Sequence, residues 1–134
     1  MPSVKWQVTK EIQNKEINLV FAFKIDNDWS MYAINPDTIS PKISARINFQ
    51  ANNDCFYTVG QTTSQTAIVE FDKELNMNTA YFMNEGAFSQ RIVKRGNCLI
   101  KAEISYIVSK KYMTEQGEEG IIYRVKDILL IPLD

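Results

Sequence analysis

The two cysteines are the side chains of this sequence with the greatest chemical potential. Cys55 and Cys98 lie 43 positions apart, which matches neither a CxxC redox motif nor the ligand spacing of a zinc site. The sequence has no histidine, so it lacks the commonest metal ligand and the commonest general base. No catalytic residue, metal site or cofactor is therefore predicted, and the residue types do not point to an enzyme.

Three interpretations of the cysteines follow from their surroundings. Each cysteine falls in a predicted strand, with no lysine cluster, helix start or metal motif beside it to lower a thiol pKa. We therefore expect two buried free thiols that pack as small hydrophobic side chains. The alternatives are a structural disulfide, which requires Cα atoms within roughly 7 Å, and a redox-active pair.

The charge and hydropathy of the chain argue against nucleic-acid binding and against a membrane-spanning helix. The 15 basic and 16 acidic residues are scattered, so nucleic-acid binding is not expected. No apolar run approaches the ~20 residues of a membrane helix, so the chain is not predicted to span a membrane. Because the sequence opens directly onto a strand pattern, we expect a periplasmic or otherwise exported domain whose leader has been removed.

A period of two identifies the strand around which the chain is organised. In residues 98–109 the even positions from Cys98 to Val108 are apolar, whereas Lys101, Glu103 and Ser105 alternate with them. This pattern predicts a half-buried strand at the centre of a sheet, followed by a polar loop over residues 109–120. Residues 86–94 are predicted to pair with it as a hairpin.

The remaining segments predict the fold class. Residues 67–82 have no clean period and are interpreted as a structured loop, and residues 35–42, with two prolines, are interpreted as an irregular crossing. Seven or eight short strands, regular turn signals and no helical period predict one all-β domain over residues 1–134. The predicted architecture is an immunoglobulin-like antiparallel β-sandwich.

Several segments resemble a known family in their order and spacing along nearly the whole chain. They are VKW at the start, IDNDWSMYA, SPKISARINF, FDKELNMNTAYF, GAFSQRI and IKAEISYIVS. Together they resemble the N-terminal domain of the bacterial thiol:disulfide interchange protein DsbD. The resemblance implies an immunoglobulin-like periplasmic domain that takes electrons from a membrane-embedded partner and hands them to thioredoxin-like proteins.

The family's cysteine pair is expected to be missing here. The family places its first cysteine three residues after a tyrosine like Tyr106, where this chain has Ser109, and its second falls at Thr114 or Glu115. Because a hydroxyl cannot replace the attacking thiolate at neutral pH, we expect a redox-silent relative. Its role would be protein interaction, with thioredoxin-like or membrane redox proteins as the candidate partners.

Two other functions remain as alternatives. One is an active thiol-disulfide oxidoreductase that uses Cys55 and Cys98. The other is an immunoglobulin-like carbohydrate or small-ligand binder with stacking surfaces at Trp29, Tyr32, Tyr81 and Tyr112.

The resemblance also implies where a partner would bind. The family covers its cysteines with a cap loop, which corresponds to residues 71–77, and we expect this segment to touch the loop at 109–119. The alternative is that these side chains only pack beneath a long connection. The candidate binding residues are Phe71, Asp72, Leu75, Met77, Tyr106, Ser109, Lys110, Lys111, Tyr112 and Met113.

Overall fold

Ten strands make up the regular structure of the chain. The computed structural model describes residues 1–34, 43–51, 53–73 and 76–134, and these residues include no helix. The strands are β1 (Val4–Gln13), β2 (Glu16–Ile25), β3 (Ser30–Tyr32), β4 (Arg46–Gln50), β5 (Phe56–Gln65), β6 (Ile68–Asp72), β7 (Met77–Met83), β8 (Glu85–Lys94), β9 (Cys98–Thr114) and β10 (Gly117–Leu133). Nowhere in these ranges is there a helix with the length and hydrophobicity needed to cross a membrane.

The strands form two antiparallel sheets. The first sheet has four strands in the order β1-β2-β8-β5, and the second has six in the order β10-β9-β3-β7-β6, with β4 paired to β9. The sheets pack face to face, which confirms the predicted all-β, immunoglobulin-like antiparallel sandwich. The predicted crossing at residues 35–42 lies outside the described residues.

The core lies between the two sheets and follows the period of two. On β9 the side chains of Ile100, Ala102, Ile104, Tyr106 and Val108 are all at most 3% exposed, as the alternation predicts. Both sheets contribute to a cluster of aromatic rings between them, in which neighbouring ring centroids lie 5.4–6.2 Å apart. Its members are Trp6, Phe23, Phe82, Phe88 and Tyr106.

The half-buried carboxylate of Asp127 joins the two sheets at the edge formed by β1 and β10. The Tyr106 hydroxyl donates to Oδ2 of Asp127 at 2.5 Å, and Trp6 Nε1 donates to the same oxygen at 2.9 Å. Burial raises the pKa of Tyr106 well above its usual value, and the hydrogen bond to the Asp127 carboxylate raises it further. Tyr106 therefore belongs to the core and not to a binding surface.

Two segments predicted as loops are mainly strand. Residues 67–82 hold most of the β6–β7 hairpin, and the expected polar loop at 109–120 is a continuation of β9 and β10 around a turn at Glu115 and Gln116. β6 and residues 110–124 are largely exposed on both faces, and in β7 the neighbouring residues Thr79 and Ala80 are both buried, so these sequences lack the clean alternation of a half-buried strand. The expected count of seven or eight strands is therefore too low.

The predicted pairing of residues 86–94 with 98–109 is wrong. β8 pairs with β2 and β5 in one sheet, whereas β9 pairs with β10, β3 and β4 in the other. The turn between them crosses from sheet to sheet, and the amides of Arg95 and Gly96 donate to the Cys55 carbonyl oxygen at 2.7 and 3.1 Å. A sheet-to-sheet crossing and a hairpin have the same apolar alternation, so the sequence pattern could not separate them.

The expectation of free thiols is also wrong, because Cys55 and Cys98 form a disulfide bond with Cα atoms 6.2 Å apart. Cys55 directly precedes β5 and Cys98 begins β9, so the bond joins the two sheets. The crossing turn brings them together: its two hydrogen bonds hold the Cys55 carbonyl against residues 95–96, two positions before Cys98. Strand positions alone contain no information on this pairing across sheets.

Candidate functional site

A groove of about 730 Å³ lies on the outer face of the six-stranded sheet. β3 forms its floor, the β6–β7 hairpin forms one wall and the β9–β10 hairpin forms the other. We call it the outer groove. Its lining residues are Asp28, Ser30, Tyr32, Glu70, Phe71, Asp72, Lys73, Thr79, Tyr81, Met83, Ser109, Lys110, Lys111 and Glu118.

Strand pairing places the floor side chains next to one another. Ser30 lies opposite Ser109 on β9 and opposite Met83 on β7, and Tyr32 lies opposite Tyr81. Because Met31 between them is fully buried, Ser30 and Tyr32 must point outward. The Ser30 and Ser109 hydroxyl oxygens are 2.8 Å apart and share a hydrogen bond.

The groove combines apolar side chains with charges of both signs. Phe71 is 59% exposed and Met83 is 41% exposed, which leaves apolar area uncovered in the groove. Four carboxylates and three lysines also line the groove. Partial burial raises the pKa of Tyr81, and a hydrogen bond to the Glu70 carboxylate raises it further, so the tyrosine is a neutral donor at ordinary pH.

The structure brings together five of the ten candidate binding residues. Phe71, Asp72, Ser109, Lys110 and Lys111 all line the outer groove. β3 separates the β6–β7 segment from β9, so the two segments expected to touch face each other across the groove floor.

The other candidates lie elsewhere. Tyr106 is in the core, and Met77 is half-buried at the start of β7 without lining the groove. Tyr112 and Met113 are exposed on the part of β9 that extends towards the hairpin turn. Leu75 lies outside the described residues.

The positions that correspond to the family's cysteines are far apart in this chain. Ser109 and Thr114 lie on one uninterrupted strand, so their Cα atoms are separated by about 16 Å at the usual rise per residue. A disulfide needs Cα atoms within about 7 Å. The residue that does lie beside Ser109 on β10 is Ile122, which is not a thiol either.

The only two cysteines of the sequence lie at the opposite end of the sandwich. Cys98 is at the start of β9, about 36 Å along the strand from Ser109. The chain therefore does contain a bonded cysteine pair, contrary to the expectation of a missing pair, but this pair is remote from the outer groove. Cys55 is 3% exposed, which restricts attack by an external thiolate on its sulfur.

Several groove residues were not predicted from the sequence. Ser30, Met83, Glu70 and Thr79 all come from outward positions on β3, β6 and β7. The signal that could have found them is the short alternation in residues 80–83, where Ala80 and Phe82 are buried and Tyr81 and Met83 point outward. Tyr32 and Tyr81 were predicted as stacking residues of the carbohydrate alternative.

Comparison with known proteins gives a likeness in structure but not in sequence. No family profile matches this chain, and no curated protein matches it. Among solved structures, the N-terminal domain of Neisseria meningitidis DsbD in its reduced form is similar over 96% of this chain and 90% of its own length, with 12% sequence identity and a TM-score of 0.45. A likeness of this size says nothing about the function of the chain.

Proposed function

We propose that this domain is a protein-interaction module that binds a thioredoxin-like partner in the outer groove and does not exchange thiols with it. The observation that carries the proposal is the groove itself, in which apolar side chains from β7 and from the end of β6 are exposed beside charges of both signs. The choice of a thioredoxin-like partner rests on the sequence resemblance to the DsbD N-terminal domain.

The composition of the groove suits a small transient protein interface. Such interfaces place apolar and aromatic side chains at the centre and polar ones at the rim. Here Tyr32 and Tyr81 lie side by side near Phe71 and Met83, with Glu70, Asp72, Lys110 and Lys111 around them. The mixed charge of this rim favours a partner that itself presents both signs.

The disulfide supports the second half of the proposal. A bond between two sheets, with Cys55 buried and Cys98 half-buried, acts as a structural crosslink, and structural disulfides in exported proteins resist reduction by thiol pools. Disulfides persist mainly in oxidising compartments, which agrees with a periplasmic or otherwise exported domain. The redox-silent assignment means that neither this bond nor the serine at position 109 passes electrons to the partner.

Groove variants test the binding site. Isothermal titration with a thioredoxin-like protein should give a measurable affinity for the unmodified domain, and Phe71→Ala should weaken it by on the order of tenfold, as expected for an apolar residue at an interface centre. Val69→Ala is the matched control, because Val69 lies on the same strand, is 58% exposed and does not line the groove. Equal loss in both variants, or no binding at all, would contradict the proposal.

One observation favours a second candidate function. Tyr32 and Tyr81 are cross-strand neighbours at the groove, which is an arrangement on which a sugar ring could stack. Titration with oligosaccharides separates the two functions, because only the carbohydrate-binding function predicts heat release that Tyr81→Ala abolishes.

A further inference from the structure

Among the described residues, no strand pairs with β10 along its outer edge. It is the outermost strand of the six-stranded sheet and pairs with β9 through 17 consecutive residues without a register shift. Pro132 has no backbone N–H, and its carbonyl oxygen accepts a hydrogen bond from Lys10 Nζ at 2.7 Å, so its backbone groups point away from β9. Because this direction alternates along a strand, the backbone groups of Glu118, Gly120, Ile122, Arg124 and Lys126 also point outward.

The two halves of this edge differ in how they are covered. In the C-terminal half, side chains of β1 reach β10, since Trp6 Nε1 bonds the Asp127 carboxylate and Lys10 bonds Pro132. In the half nearer the hairpin turn, no described strand pairs with residues 117–124 on this side. There the side chains of Ile121, Ile122 and Tyr123 are 37%, 61% and 37% exposed. A long, uncovered apolar edge is a template for pairing with another strand.

We propose that this edge pairs with the same edge of a second copy of the chain, antiparallel and about a two-fold axis at Ile122. In this register Ile122 faces its own copy, and Ile121 faces Tyr123 of the second copy on the other face of the ribbon. Glu118 faces Lys126 of the second copy, and the two-fold axis repeats that pair. The five outward-pointing residues of each strand would form about ten backbone hydrogen bonds.

Charge complementarity selects this register over its neighbours. An axis at Tyr123 would place Glu119 opposite Asp127, and an axis at Arg124 would place two arginines opposite each other, both of which are destabilising. An axis at Ile121 would place Glu115 opposite Asp127 and remove the contact between the two Ile122 side chains. Only an axis at Ile122 combines an apolar centre with opposite charges on both flanks.

The charged residues of the proposed pair already have weak partners within the chain. Glu118 lies 3.8 Å from Lys111, and Lys126 lies 3.3 Å from Glu103, with the lysine side chains 72% and 61% exposed. Exposed pairs of this kind contribute little to stability, so each charge can also serve a partner across the edge. Glu118 also lines the outer groove, whereas Ile122 and Lys126 do not, so variants of Ile122 separate self-association from groove binding.

Sedimentation velocity over the micromolar to millimolar range tests the proposal. We expect a monomer–dimer equilibrium whose Kd rises by on the order of tenfold or more in Ile122→Lys, because this variant places two lysines face to face on the axis. Ile128→Lys is the matched control: it is the same residue type on the same face of the same strand, 53% exposed, and it lies outside the apolar centre. A chain that stays monomeric at millimolar concentration, or equal effects of the two variants, would overturn the proposal.

Charge reversal tests the register without altering an apolar residue. Glu118→Lys and Lys126→Glu should each weaken the dimer severalfold, and the double variant should recover most of the loss because the pair is restored with its signs exchanged. If the double variant is as weak as the sum of its parts, the proposed register is wrong. Far-ultraviolet circular dichroism of each variant confirms that the sheet is intact before the comparison.

Discussion

At the scale of single residues, Tyr106 is a candidate binding residue by its sequence motif, but its position on β9 places it in the core. Tyr106 marks the family-like motif in the sequence, yet the inward side of β9 buries it and gives its hydroxyl to Asp127. Ser109, three positions later, faces outward because the period of two reverses its direction, and it lies on the groove floor beside Ser30. The alternation predicted the inward direction of Tyr106, whereas the direction of Ser109, which was interpreted as the start of a loop, and the partners Asp127 and Ser30 required the structure.

The environment of Tyr106 predicts a dependence of stability on pH. Because its pKa is raised in the folded state, chiefly by burial, the protonated form is favoured by folding. The resulting stabilisation is present in full below the ordinary tyrosine pKa of about 10 and is lost as the pH rises above it. Urea unfolding between pH 8 and pH 11 should show stability falling above about pH 10, by up to roughly 1.4 kcal/mol per pH unit for this residue.

Tyr106→Phe isolates the contribution of this hydroxyl. We expect the variant to lose about 1.5–3 kcal/mol at neutral pH, since it removes a hydrogen bond to a carboxylate, and to show a shallower decline in alkali. The raised pKa of Tyr81 contributes the same alkaline decline to both proteins and therefore cancels in the comparison. Identical alkaline slopes in the two proteins would refute the role given to Tyr106.

At the scale of elements, most strands could be predicted because each has one buried face. The alternation of apolar and polar residues identified β1, β2 and β8, and it identified the parts of β9 and β10 that have one buried face. It failed at β6–β7 and at the far ends of β9 and β10, where residues such as Phe71, Val69 and Ile122 are exposed. Those exposed strands form both walls of the outer groove, so the part of the sheet that carries the candidate site is the part with the weakest sequence signal.

The continuity of β9 predicts which engineered cysteines can bond. Ser109→Cys combined with Thr114→Cys should form no disulfide, because the two positions lie about 16 Å apart along one strand. Ser30→Cys combined with Ser109→Cys should oxidise readily, since these residues are cross-strand neighbours whose hydroxyl oxygens are 2.8 Å apart. Free-thiol titration of the folded double variants measures both, and a bond in the first variant would mean that β9 bends after Ser109.

At the scale of the whole molecule, the disulfide crosslinks the two sheets at the end remote from the groove. It closes a loop of 43 residues, for which restriction of the unfolded chain corresponds to about 4 kcal/mol of stability. We expect Cys55→Ala/Cys98→Ala to lose on the order of this amount in urea unfolding while keeping its affinity for a groove ligand. If the variant also binds the groove ligand more weakly at temperatures where it is folded, the disulfide contributes to binding and the expectation is wrong.

The central claim is that the domain binds a thioredoxin-like protein through the outer groove and keeps its own disulfide intact. The most direct test is a titration of the isotope-labelled, oxidised domain with a reduced thioredoxin-like protein, followed residue by residue by NMR. We predict shifts at groove residues such as Ser30, Tyr81 and Lys111, with the signals of Cys55 and Cys98 unchanged. Signals of reduced Cys55 and Cys98, or shifts confined to surfaces other than the groove, would contradict the account.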